Sequence, residues 1–222
     1  MTGDGAAALD FGLRCLELDS PPGSRGRIAG SRTVLLRDVS DPEEIEHPLL
    51  VAARPEDCAR LLCIAHAAGQ RFGVPIHLVL PAEILALPLR TEVEHIPLPP
   101  AFVLRGGESV DDQVREDHPA LSFHRLSHGV GRGPRNRSRL LIVSHGAASR
   151  AVEEEVSRAR RDGIRLRHLS LQTLNPLPSG ALQAAMDGSD ESVVLDSTRA
   201  WIAAETIEHA IGLQELAARL RG

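Results

Sequence analysis

Lysine is absent from this chain: all 25 of its basic residues are arginine. That excludes a lysine Schiff base, a P-loop lysine and a lysine general base, each of which needs a primary amine. Tyrosine is absent as well, tryptophan occurs once, and aromatics make up only 2% of the residues. Stacking platforms for single-stranded nucleic acid need aromatic faces, so that class of function is disfavoured. The three cysteines, Cys15, Cys58 and Cys63, form no C-x-x-C pair and no zinc pattern. A conventional iron–sulfur cluster takes about four thiolates, so the chain does not hold one by itself. Cys58 and Cys63 lie five apart and read as structural buried thiols. No signal peptide and no apolar run of about 20 residues is seen, so a cytoplasmic location without membrane contact is expected. A net charge of −5 gives no whole-chain field for nucleic acid or an anionic membrane.

What is present is aliphatic. Hydrophobic residues reach 42% of 222 positions, enough for a sizeable core built from Leu, Val, Ile and Ala, as in parallel α/β sheets. From residue 138 onward, strands and helices alternate. Arg139-Leu140-Leu141-Ile142-Val143-Ser144 reads as an apolar strand, and His145 to Ser149 reads as a turn into a helix from Arg150 to Arg161. Asp162-Gly163 stops that helix, and Ile164 to Leu171 alternates apolar and polar residues. Gln172-Thr173-Leu174-Asn175-Pro176-Leu177-Pro178, a short helix to Met186, a strand Ser192 to Asp196 and a final helix follow. This spacing calls for a parallel sheet with crossovers.

Residues 1 to 95 carry a second α/β pattern. Leu13 to Asp19 is a strand candidate, and Thr33 to Arg37 fits either a strand or a helical turn. Pro48 to Ala53 is a strand, and Pro55 to Phe72 is a helix opened by proline, with acids early and arginine late. Gly73 ends the helix, and Val74 to Leu80 is a buried strand. Residues 96 to 137 have little periodicity and read as a linker, with the loop around His124 and His128 inside it; the basic run Arg132 to Arg139 at its end reads as linker or as a phosphate-binding site.

Several of these segments resemble the alpha subunit of the 2-oxoacid:ferredoxin oxidoreductases, the pyruvate, 2-oxoglutarate and flavodoxin-dependent enzymes. Ile142-Val143-Ser144-His145-Gly146, Arg161-Asp162-Gly163-Ile164-Arg165 and Thr173-Leu174-Asn175-Pro176-Leu177-Pro178 match the family's transketolase C-terminal-like domain in order. Ala65 to Phe72 followed by Val74-Pro75-Ile76-His77-Leu78-Val79-Leu80 matches its helix-strand unit. Leu16 to Gly26 matches the family's upstream strand and glycine/proline loop more loosely. The resemblance implies an α/β fold of two parallel-sheet domains. A partial pyrimidine-type thiamine-enzyme domain at 1–95 and a linker at 96–137 precede a transketolase C-terminal-like domain at 138–222. It further implies an N-terminally truncated or degenerate alpha subunit, because the family's pattern extends upstream of Met1. The expected activity is oxidative decarboxylation of a 2-oxoacid with electron transfer to ferredoxin, by a complex and not by this chain alone. Thiamine diphosphate and magnesium would be held mainly by a beta subunit and iron–sulfur clusters by partners; a homodimer is the other assembly considered. The alternative is a non-catalytic scaffold or regulatory module derived from the same fold. In the second domain Asp196-Ser197-Thr198-Arg199-Ala200-Trp201 stands where the family has E-x-N-x-x-G-Q.

No residue is assigned a catalytic role. The candidate anion or ligand turn is Ser144, His145, Gly146 and Ser149, where small residues let backbone N–H groups approach an anion at a helix start. The same small residues equally serve close helix-strand packing. A second candidate is the loop Ser24-Arg25-Gly26, whose arginine would hold a carboxylate or simply face solvent. Gly3-Asp4-Gly5 has the form of a diphosphate–magnesium motif, but the first asparagine is Asn136, too far on. Ten histidines show no helical H-x-x-x-H, so no metal is expected. Leu16, Leu18, Leu50 and Val51 are too apolar for an open sheet edge, which predicts that a partner covers them.

Overall fold

A computed structural model of the chain describes residues 25–27, 32–36, 47–85, 124–128, 138–202 and 206–221. The fold is α/β, in two compact units that interleave along the chain. One comprises residues 1–122 with Thr173–Leu177, and the other residues 123–172 with 178–222. Each unit contains one five-stranded, mostly parallel mixed sheet.

The first sheet is built from β1 (Arg25–Arg27), β2 (Thr33–Leu36), β3 (Leu49–Val51), β4 (Ile76–Val79) and β8 (Thr173–Asn175), in the order β1-β2-β4-β3-β8. β2, β4 and β3 run parallel, while β1 and β8 are antiparallel edges. The segment from Thr33 is a strand, and all four of its residues are buried. A strand buried on both faces has no alternation, which is why its period leaves helix and strand undecided. α1 (Pro55–Phe72) has Pro at its start, Glu56 and Asp57 in its first turn, and Gly73 at φ 73° closing it onto the Gly69 carbonyl. A short α2 (Ala82–Leu85) follows β4.

Two expectations for this unit are corrected. Arg25 and Gly26 lie not in a loop but in β1, opposite Leu36 and Leu35; Ser24 lies outside the described residues. The strand within Pro48–Ala53 is not an open edge, because β8 pairs with it, Leu49 against Asn175 and Leu50 against Thr173. The Asn175 side chain adds a hydrogen bond to the His47 carbonyl at 2.9 Å. Leu50 and Val51 are buried by this chain itself. The cover comes from more than a hundred residues away, beyond the reach of any local pattern. Leu13–Asp19, with Leu16 and Leu18, lies outside the described residues, as does Gly3-Asp4-Gly5.

The second sheet has the order β10-β9-β6-β7-β5, from β5 (His124–His128), β6 (Ser138–His145), β7 (Leu166–Leu171), β9 (Ser189–Leu195) and β10 (His209–Ile211). β10, β9, β6 and β7 are parallel, and β5 closes one side antiparallel to β7. The stretch around His124 and His128 is therefore an edge strand, not a loop, and its pairing partner decides this. α3 (Gly146–Arg161) joins β6 to β7, α4 (Ser179–Asp187) joins β8 to β9, and α5 (Leu213–Arg221) follows β10. α3 starts at Gly146, so the expected turn 145–149 is its N-cap and first turn. Residues Asp196–Trp201 form a 3-10 helix. On α3, Val152, Val156 and Ala159 recur at helical spacing and pack against Leu140, Ile142, Leu166, Val193, Leu195, Ile211, Leu216 and Leu220. Among the described residues no helix is long and apolar enough to cross a membrane.

Candidate functional site

The sequence-derived turn lies at the carboxyl end of β6. Gly146 adopts φ 56°, a left-handed conformation that favours glycine and swings the chain from strand into α3. His145 is the N-cap in extended conformation, and its side chain makes no capping bond. Alternation along β6 then sends Ser144 and His145 to different partners.

Ser144 turns toward α3. Its Oγ lies 2.8 Å from Ser149 Oγ and 2.7 Å from His168 Nε2. All three residues are 0% exposed. Ser144 and Ser149 thus sit away from solvent and join β6, α3 and β7 through one buried network. His168 was not singled out from sequence; it stands where the alternation of Ile164 and Leu166 slips by one residue to Leu169 and Leu171, and it takes an inward position.

His145 turns elsewhere. Its Nδ1 lies 2.9 Å from Thr198 Oγ1, and its ring meets Trp201 edge-on with centroids 6.4 Å apart. Burial pushes its pKa down to about 4, so the ring is neutral at physiological pH. Thr198 is fully buried, and the Arg199 guanidinium donates to the Ile207 carbonyl, pinning the segment that follows β9. Thr198 and Trp201 belong to the stretch that departs from the family motif. Their chemistry was visible in the sequence, their approach to His145 was not.

The two cysteines described lie on α1. Cys58 is buried, and burial together with the neighbouring Asp57 carboxylate pushes its thiol up to about 12; burial also raises Cys63. Neither is a reactive thiolate. Among the described residues no group of three His, Cys, Asp or Glu is placed to hold a metal ion.

No protein-family model matches the chain. Over 77 residues it is 31% identical to the 2-oxoglutarate synthase subunit KorA of Methanothermobacter thermautotrophicus, spanning 35% of this chain and 20% of that protein. In structure it is similar to the 2-oxoglutarate:ferredoxin oxidoreductase of Magnetococcus marinus, solved with 2-oxoglutarate, coenzyme A and succinyl-CoA bound. The TM-score is 0.52 at 13% identity, over 79% of this chain and 42% of that one. The chain is thus distantly similar to KorA in sequence, and its fold is similar to that of part of the oxidoreductase. A split-gene transketolase, an inactive tetramer, superimposes with a TM-score of 0.48 at 14% identity, over 79% of this chain and 56% of its own. The chain spans about a fifth of KorA's length and less than half of the oxidoreductase chain.

Proposed function

We propose that this chain serves as a subunit of a 2-oxoacid:ferredoxin oxidoreductase and acts only together with a partner that carries the cofactor. The observation behind this reading is the 31% identity with KorA, obtained from sequence, alongside a fold similarity that covers 79% of the chain. In that reaction class thiamine diphosphate supplies the carbanion chemistry on the 2-oxoacid, and electrons leave through iron–sulfur clusters.

The described residues do not fit thiamine diphosphate with magnesium. A magnesium–diphosphate site needs carboxylate and carbonyl oxygens around the metal. At the carboxyl end of β6 the chain offers Ser144 and Ser149, sealed against His168, and a neutral His145. No catalytic step is therefore derived through the cofactor on this chain. That misfit agrees with a cofactor held by the partner, and it agrees equally with the second reading, a non-catalytic scaffold or regulatory module whose partner does the chemistry.

Co-expression of the chain with its neighbouring genes, followed by affinity purification, tests both. The oxidoreductase reading expects a thiamine-binding chain to co-purify and 2-oxoacid-dependent reduction of a low-potential dye. Co-purification without turnover favours the scaffold. Recovery of the chain alone, with no associated subunit and no turnover, defeats both.

A further inference from the structure

We propose that His145 presents its Nε2–H as a binding contact for a ligand carboxylate at the carboxyl end of the second sheet, between β6 and β9. The topology picks out this point. The successor of β6 is β7 on one side, whereas the successor of β9 is β10 on the other, so the strand order reverses between β6 and β9. In open α/β sheets ligands bind outside the carboxyl ends of strands at such a reversal. His145 ends β6, and Thr198 follows the end of β9 by three residues. Their hydrogen bond spans the reversal.

The proton positions follow from burial. Thr198 is 0% exposed, and among the described residues its hydroxyl has His145 Nδ1 as its hydrogen-bond partner. A buried hydroxyl whose proton goes unused is costly, so Thr198 donates and Nδ1 accepts. A neutral ring that accepts at Nδ1 carries its proton at Nε2. No described residue takes that Nε2–H, although the rest of the ring is held by Thr198 and Trp201. His145 is only partly buried, so that N–H is open to water and to an incoming oxygen acceptor. The start of α3 behind it favours negative charge, and α3 has no acidic residue in its first turn. The nearest acid in sequence beyond β9, Asp196, points its Oδ2 toward Gly212 at the start of α5, within 3.3 Å of where a Cβ there would stand. Thr198 is a positioning residue here, since it acts by fixing the tautomer of His145. The inference stands independently of the oxidoreductase reading.

Trp201 is the only tryptophan in the chain and reports directly on this ring. The full-length protein is titrated at pH 7 with sodium acetate, and separately with inorganic phosphate, at ionic strength fixed with chloride. A saturable change in tryptophan emission with acetate is expected. His145→Asn should weaken it at least about tenfold, a loss of about 1.4 kcal/mol. His145→Gln places an amide N–H near the Nε2 position and should keep it. Thr198→Val should weaken binding several-fold, and Thr198→Ser should restore it. Melting curves identify any variant that fails to fold, and the threonine pair then carries the test. No saturable response to acetate, a response only to phosphate, or an equal response in the valine variant overturns the proposal.

Discussion

In the first unit the parallel strands bring Leu35, Leu78 and Leu50 side by side, each completely buried. In the second, the equivalent interior of β6 and β7 carries Ser144 and His168 inward, beside Ile142 and Leu166. The remaining buried polar residues among those described follow the same division. Ser138, Ser149, Ser170, Gln172, Ser189 and Thr198 belong to the second unit, while the first buries Thr33, Asp57 and Thr173. Apolar contacts are non-directional, so the first sheet tolerates small shifts of its neighbours. Buried hydrogen bonds are directional and costly to leave unmade, so the second sheet fixes α3 and the end of β9 in one register. Ser189 shows it again at the amino ends of β6 and β9, where it bonds Ser138 at 2.7 Å and the Ala185 carbonyl at 3.0 Å, tying α4 to two strands. The unit with the polar interior is also the one that holds the candidate site.

The largest effect expected is in the apolar sheet. Leu78→Ala removes a side chain shared by the β2/β4 and β3/β4 pairs, and should cost about 2–5 kcal/mol. Urea unfolding with amide exchange resolved by strand measures this. A loss below about 1 kcal/mol would mean the first sheet collapses around the void, and the contrast between the units would weaken.

Next comes the response to acid. His145 is held near 4 when folded and returns to about 6.5 when unfolded. As pH falls through about 6.5, the unfolded chain takes up a proton that the folded ring refuses. Stability drops across the window from about 6.5 to about 4 and then levels, by on the order of 3 kcal/mol in total. Denaturation midpoints across that window should fall more steeply for the wild type than for His145→Gln, and the second unit's amides should lose protection first. Parallel curves for the two proteins would remove His145 from the account.

Breaking the polar clamp is expected to cost less. Ser144→Ala withdraws a hydroxyl from both Ser149 and His168, at about 1–3 kcal/mol. The double variant Ser144→Ala with Ser149→Ala should cost less than the sum of the single variants, because one network is lost only once. Additive losses in unfolding experiments would show that the two hydroxyls act separately.

Local pattern made much of this fold legible. α1 was readable to the residue, since Pro55 opens it, its acids come early and Gly73 closes it. From Ser138 onward β6, α3 and β7 were readable, with Asp162-Gly163 stopping the helix, and a later strand was read at Ser192–Asp196 where β9 runs Ser189–Leu195; β10 was not read. The β8 cover over β3 was not, nor was the β5 strand, because both depend on partners far away in sequence. Of the candidate turn, the sequence located the residues but not their division: Ser144 and Ser149 go to the clamp, His145 to Thr198 and Trp201. Strand alternation predicts such a split, yet a run of small residues at a turn looks uniform until the partners on β7 and beyond β9 are known.

The smallest effect should come from the surface of the second unit, where the same polar chemistry meets water. Arg219 on α5 reaches both oxygens of Glu191 on β9 at 2.6 Å, a two-point contact between the two elements. Both side chains are substantially exposed, at 43% and 38%, so solvent screens the attraction and ordering two long side chains offsets part of it. Arg219→Ala should therefore cost no more than about 1 kcal/mol, against the larger loss for the buried serine. The Arg219→Ala loss should shrink further in high salt, and its gap from the Ser144→Ala loss widen, since exposed charges are screened over about 3 Å at 1 M while the Ser144 network is uncharged. Urea unfolding of both variants at low and high salt makes the comparison. An Arg219→Ala loss that equals the Ser144→Ala loss and ignores salt would show that hydrogen-bond geometry, and not burial, sets the strength of this unit's polar contacts.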